Sequence, residues 1–356
     1  MDGELMGRTR IAIVGVGNCA SMLTQGTEYY KRNEPQGLLY PEMAGYRVSD
    51  IEVVAAFDID KRKVGQRLDK AIFLGQNNTV RIASLPRSKV IVAKGPVMDG
   101  IGEQLKQVIP VDGSRPVNIV RELSDSGAEI VVNFLPVGST KASRFYADAA
   151  IKAGCGFVNC IPEFIATEYA QKFRKANLPV VGDDMKGSLG ASVLSRTLAG
   201  LFKERGVELD RMYQLNFGGN TDFWNLLEEE RLRFKRISKT ETVQSMLGDK
   251  RLQMDKIRIG PSDFVPWLQS RKIAHMRFEG RGFGGIPAHL DVRLDVEDKS
   301  MAGGVVVDAI RATKIALDRG IGGPLLAVSA WTMKSPPIQY PEHIAKKMLE
   351  EFIRGA

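Results

Sequence analysis

Residues 11–20 read IAIVGVGNCA, and the fold is read outward from them. Four apolar residues end at Val14. Gly15-x-Gly17-x-x-Ala20 then turns the chain into a helix. Gly15 permits the tight turn, Gly17 lets backbone approach a pyrophosphate, and Ala20 allows close helix–strand packing. A helix starting here offers free N–H groups and a positive dipole end to phosphates. Gly15, Gly17, Asn18, Cys19 and Ala20 are therefore candidate dinucleotide-binding residues.

Further apolar runs at 53–57, 130–135, 157–160 and 180–181 read as buried parallel strands. Residues 141–153 place Ala142, Phe145, Ala149 and Ala153 on one helical face, giving a strand–helix–strand crossover. The ribose acid of such a fold ends the second strand. Asp58 fits, with Asp60 as the fallback. It comes later than the usual ~20 residues, which implies an insertion at roughly 26–50. A carboxylate there repels a 2′-phosphate and selects NAD. Leu135 and Pro136, after the third strand, should line the cofactor cleft, with Tyr146 on the next helix facing it.

Beyond residue 195 the pattern changes. Strand-like pieces at 214–217, 274–279 and 289–296 alternate with charged stretches, including a helical pattern at 226–239. Gly303–Gly304 precedes an amphipathic helix at 305–317 carrying Val306, Ile310, Ile315 and Leu317. The expected architecture is α/β: a Rossmann-like doubly wound parallel sheet with an inserted α+β catalytic and oligomerisation domain. Residues 1–195 form the NAD-binding domain, 305–356 complete it, and 196–304 are inserted.

Composition narrows the partners. The chain has 356 residues, 44% hydrophobic, with a formal net charge of +8. Its basic residues are scattered without interleaved aromatics, which argues against nucleic acid and suits an anionic substrate. No run reaches the ~18 apolar residues of a membrane span, and charges break the first 20 residues. A soluble cytoplasmic protein is expected. Three cysteines without CxxC spacing and three separated histidines offer neither a disulfide framework nor a histidine metal site. A hard cation held by carboxylates stays open.

Seven segments carry a resemblance. GDDMKGSLGAS (182–192), LNFGGNTDFWN (215–225), RISKT (236–240), IGPSDFVPWLQSRK (259–272), FEGRGFGGIP (278–287), VEDKSMAG (296–303) and MKSPP (333–337) are similar, in order, to the motifs of the myo-inositol-1-phosphate synthase family, in its shorter bacterial and archaeal branch. The resemblance implies that glucose 6-phosphate is oxidised at C5 by NAD, enolised, closed by an internal aldol addition and re-reduced. Lys239, Lys272 and Lys334 would be the catalytic lysines, with Lys186 near the cofactor and Asp298 anchoring an ammonium. Asp184 would sit beside the nicotinamide. Asn216 and Asn220 would bind sugar hydroxyls or phosphate, and Asp222 and Lys235 would reach the cofactor. Lysines suit negative charge developing on oxygen, because burial and neighbours tune their pKa. A homotetramer also follows from the resemblance, and a divalent or monovalent cation stays open beside NAD. Two positions depart from the family pattern: Gly187 stands where a serine is usual, and Ser270 where an acid is usual. The competing readings are an NAD-dependent sugar or amino-acid dehydrogenase and a non-catalytic NAD-binding sensor.

Overall fold

The computed structural model describes residues 7–228 and 240–355. Seven parallel strands form one sheet, in the order Gly323–Pro324, Pro179–Val181, Gly156–Asn159, Ile130–Asn133, Thr9–Val14, Ile51–Asp58, Ala93–Lys94. Both faces of the sheet are covered, which is why the middles of its strands are mostly apolar. Ile11, Ile13, Ile130, Val132, Val158 and Val181 face a layer that includes Val306, Ala309, Ile310 and Ile315. The alternate residues Ala12, Val14, Val131, Phe157 and Val180 face Tyr146, Ala147, Ala149 and Ala150.

The first strand has neighbours that continue the chain in opposite directions. The crevice at the carboxyl ends of Thr9–Val14 and Ile130–Asn133 is therefore the switch point where such sheets bind ligands. Gly15 sits there at φ +89°, and a Cβ would meet the Phe134 carbonyl oxygen at 2.9 Å. Only glycine fits that turn.

A separate four-stranded sheet runs Ile257–Phe264, Glu208–Gly218, Arg271–Arg281, Pro287–Glu297, the first pair parallel and the others antiparallel. One face packs Met212, Ala274, Met276 and Phe278 against Ala191, Ala199 and Phe202 of the helix Ala191–Glu204. Val243 and Leu247, from a helix at 240–247, join this core.

The structure corrects several expectations. The helix Asn18–Tyr29 runs through Gly26, so the insertion begins after it; it includes a small hairpin, Glu42–Met43 with Tyr46–Arg47. On the helix Thr140–Ala153, Phe145 is 38% exposed while Tyr146 is 3% exposed, so the buried stripe runs through Ala142, Tyr146 and Ala149. The strand Ile257–Phe264 was not foreseen. Pro261, Ser262 and Asp263 obscure its alternation, and an edge strand tolerates them. Residues 226–228 form a turn rather than helix, and 229–239, with Lys235 and Lys239, lie outside the described residues.

Both expected domain limits fall inside helices. Residue 195 lies within Ala191–Glu204, and 304 lies within Asp298–Asp318. The glycine pair that suggested a boundary instead permits close packing. A Cβ on Gly303 would meet Met22 Cγ at 3.3 Å, and one on Gly304 would meet the Gly37 carbonyl oxygen at 3.1 Å. Among the described residues no helix is long and apolar enough to cross a membrane.

Candidate active site

One cavity runs from the glycine loop to the second sheet. Its lining includes Gly15, Gly17, Asn18, Cys19, Asp58, Leu135, Pro136 and Tyr146 at one end, and Asp184, Lys186, Lys272, Asp298 and Lys334 at the other. Asn220 and Asp222 line it as well. The structure thus gathers most of the residues singled out from the sequence.

At the loop end, Asp58 Oδ2 accepts the Val16 N–H at 2.8 Å, and Oδ1 accepts the N–H groups of Ile59 and Asp60. The carboxylate therefore shapes the glycine loop while lining the cavity. Asp60, the fallback, is engaged by the Arg62 guanidinium at 2.6 Å. A Cβ on Gly17 would meet nothing within 4 Å. The protein itself does not demand glycine there, whereas a phosphate lying against the backbone would. Ala20 is fully buried and absent from the lining, in keeping with a packing role. Burial, then nearby Asp58, push the Tyr146 hydroxyl well above its usual value, so it stays protonated.

The far end is built by two strand pairings. Residues 183–186 run against 332–335, with Lys186 N–H donating to the Thr332 oxygen and Lys334 N–H to the Asp184 oxygen. This sets Lys334 Nζ 2.9 Å from Asp184 Oδ1 and 2.6 Å from the Met185 carbonyl oxygen. Asp184 holds φ +60°, a left-handed conformation rare for a side-chain-bearing residue and often found at functional sites. Lys186 Nζ donates to the Ala330 oxygen and to Glu342 Oε1 at 2.9 Å. Its pKa is lowered to about 8, chiefly by burial, with Glu342 opposing.

The second pairing joins Arg271–Arg281 to Pro287–Glu297, with Lys272 opposite Val296. Lys272 Nζ reaches Asp298 Oδ1 at 3.2 Å, and Lys299 Nζ reaches Asp298 Oδ2 at 2.9 Å. Burial alone would raise the Asp298 carboxyl, but the two ammoniums hold it well below the usual range. Burial alone would lower the Lys299 ammonium, but Asp298, with Cys19 and Asp222 beyond it, together raise it.

Asn216 stands apart. Its side chain donates to the Gly260 oxygen at 2.6 Å and accepts from Gln214 within the sheet, and it does not line the cavity. No group of three or more His, Cys, Asp or Glu among the described residues could hold a metal ion.

Residues 190–299 match the model of the family described as myo-inositol-1-phosphate synthase. The inositol-3-phosphate synthase of Mycolicibacterium smegmatis is 48% identical over 361 residues, covering 99% of each chain. That of Mycobacterium tuberculosis is 49% identical over 358 residues, covering 99% of this chain and 97% of its own. The chain belongs to the myo-inositol-1-phosphate synthase family. A solved myo-inositol-1-phosphate synthase-related protein from Thermotoga maritima agrees in fold, with a TM-score of 0.81 at 25% identity over 98% of each chain.

Membership makes this an enzyme of inositol-phosphate synthesis. The two departures from the synthase pattern have structural partners. Gly187 lies under the long helix, where a Cβ would meet Met301 Cβ at 3.2 Å, and Ser188 N–H donates to the Met301 oxygen. Ser270 bonds Glu297 through its hydroxyl, while its carbonyl accepts the Asp298 N–H. The acid that holds Lys272 is therefore Asp298, not residue 270. Polar lining residues missed from sequence include Lys63, Asn77 and Lys299. Lys299 follows Asp298 in a motif already singled out, and starting the helix at Asp298 would have placed it on the cavity. Nothing in the local pattern marks Lys63 or Asn77.

Proposed function

We propose that this synthase converts D-glucose 6-phosphate to 1D-myo-inositol 3-phosphate (L-myo-inositol 1-phosphate), using NAD catalytically. The steps are oxidation at C5, enolisation, intramolecular aldol closure and re-reduction. The observation that carries the reading is one cavity with a glycine loop at one end and lysines held by carboxylates at the other. NAD, when bound, supplies the acceptor and later the donor of one hydride. The open space before Gly17 fits a pyrophosphate, Asp58 suits ribose hydroxyls, and Leu135 and Pro136 offer an apolar wall.

The chain's own groups do the rest. Lys334 Nζ, braced by Asp184, is set to donate a hydrogen bond to the C5 oxygen and to stabilise it as charge develops there. Lys272, braced by Asp298, does the same for an enolate or aldolate oxygen. Lys186, poised near pH 8, carries a charge for the substrate phosphate and can release it as a proton. Lys239 and Lys235 are assigned by resemblance, the first to the substrate and the second to the cofactor. No cation is proposed.

The test is incubation with glucose 6-phosphate and substoichiometric NAD. The expected result is product in excess over NAD with no accumulating NADH. One NADH per product would mean a dehydrogenase, and NAD binding without product a sensor. In titrations NAD should bind at least about tenfold more tightly than its 2′-phosphate, a ~1.4 kcal/mol preference. Equal affinities would remove the role given to Asp58.

We also propose a homotetramer. The outer face of the second sheet leaves Tyr213 and His275 exposed, with Phe217 and Ile273 half-buried, as a face awaiting a second copy would. Light scattering at micromolar concentration should give four chain masses; a monomer mass refutes this.

A further inference from the structure

Residues 76–79, Gln-Asn-Asn-Thr, cross over the glycine loop. Their neighbouring asparagines face different partners. Asn77 serves the loop itself: its Nδ2 donates to the Val16 oxygen at 3.1 Å and to the Ile72 oxygen at 2.8 Å, and its Oδ1 accepts from Lys63 Nζ. Asn78 faces both halves of the molecule. Its N–H donates to Asn18 Oδ1 at 2.8 Å, and its Oδ1 accepts from Asn18 Nδ2 at 3.0 Å. Its Nδ2 then donates to the Gly219 carbonyl oxygen at 3.1 Å, at the end of the strand Glu208–Gly218 of the second sheet.

Gly219 is a sensitive place to be held. A Cβ there would lie 2.5 Å from both the Gln269 nitrogen and the Val265 oxygen. Its backbone is therefore wedged against the turn that leads into Arg271–Arg281, the strand carrying Lys272. The next residue, Asn220, caps the helix Thr221–Asn225 and reaches Asp298 Oδ2 at 3.5 Å. The Asp298 N–H in turn donates to the Ser270 oxygen. A shift of Gly219 thus moves both ends of the Lys272–Asp298 pair. Other bonds between the halves, from Trp224 to the Gln104 oxygen and Asn225 to the Val137 oxygen, do not touch the glycine loop.

We propose that Asn78 is a positioning residue that couples occupancy of the glycine loop to the alignment of the Lys272–Asp298 pair. The proposal rests on the reading of this cavity as an NAD and sugar-phosphate site. A dinucleotide on the loop amides fixes Asn18, Asn18 fixes Asn78, and Asn78 fixes Gly219 and the lysine–carboxylate pair beyond it. A misplacement near 1 Å at a reacting centre costs about 100-fold in rate, so the contact bears on turnover more than on binding.

Asn78→Asp separates the two contacts. It keeps the acceptor for Asn18 Nδ2 and the backbone bond, but replaces the donor to the Gly219 oxygen with a repelling oxygen. The expected result is turnover lower by about 10- to 100-fold at saturating NAD, with NAD affinity within about threefold of wild type. Turnover of Asn78→Asp within twofold of wild type overturns the proposal. So does a loss of NAD affinity that saturating NAD fully rescues. Hydrogen–deuterium exchange gives a second measurement on the wild-type enzyme. ADP, which fills the glycine-loop end without a nicotinamide, should slow exchange at 218–220 and 270–272. Should the variant not fold, absence of that protection in the wild type alone overturns the coupling. A wild-type enzyme that binds ADP with this protection yet makes no inositol phosphate sinks the proposed function instead.

Discussion

Replacing Lys272 or Lys334 by alanine is expected to lower turnover of glucose 6-phosphate by about 10²–10³, the usual loss for one donor aimed at developing charge. NAD affinity should change little, because the dinucleotide is assigned to the glycine-loop amides rather than to these side chains. The bracing explains the size of the effect. Each Nζ is held by an acid, Asp298 for Lys272 and Asp184 for Lys334, so the charge is in place before the substrate arrives. Arginine should not restore full activity. Its planar fork fits differently from a compact point charge. The measurement is product formation beside NAD titration for each variant. Wild-type turnover in both alanine variants would remove the lysines from the mechanism, whatever the fold.

The second large effect is expected at Asp298. Its side chain is 19% exposed and faces two ammoniums, with Lys299 at 9% exposure. Asp298→Ala removes the acid and leaves both cations in a largely desolvated place, at a cost of about 3–5 kcal/mol of stability. Turnover should fall with it, because Lys272 loses its brace. The sign of the pH dependence follows from the lowered carboxyl pKa. A depressed acid stabilises the fold above its unfolded value and loses that contribution as pH falls through the folded value. The stability gap between wild type and Asp298→Asn should therefore be widest near neutrality. It should narrow only below the ordinary carboxylate value of about 3.9. Urea denaturation of both proteins at a series of pH values measures this. An equal gap at pH 7 and pH 3 would falsify the assignment of the lowered pKa to Asp298.

Much of this was legible in the sequence, for identifiable reasons. The parallel strands announce themselves because burial on two faces leaves short, largely apolar runs in them. The glycine loop is legible because Gly15 answers to a backbone constraint that no other residue meets. Lys272, Lys334 and Asp298 are visible only through motif resemblance, since periodicity treats a lysine on a strand as a surface residue. What escaped was tertiary in origin. Gly303–Gly304 reads as a break because local propensity disfavours glycine in helices, yet here close packing against Met22 and Gly37 overrides propensity. Phe145 was placed inward by its spacing from Ala142 and Ala149, but the register of the helix gave that face to Tyr146. Asn216 sits in a motif rich in polar residues, and only the sheet register reveals that its amide is spent on Gly260. Asn78 carries no local signal, because its partners are at residues 18 and 219.

The long helix Asp298–Asp318 has a consequence for how such a sequence can change over time. Its first residue is the carboxylate between two lysines, and its body is buried in the core of the other sheet. An α-helix turns about 100° per residue. One residue inserted or deleted between the two ends would swing Asp298 away from Lys272, or turn Val306 and Ile310 out of the core. No compensating loop lies between them to absorb the error. The length of this rod is thus locked from both ends. Substitutions can accumulate along it, but additions and losses are pushed outward, to the surface turns beyond Asp318 and to the hairpin before Pro287.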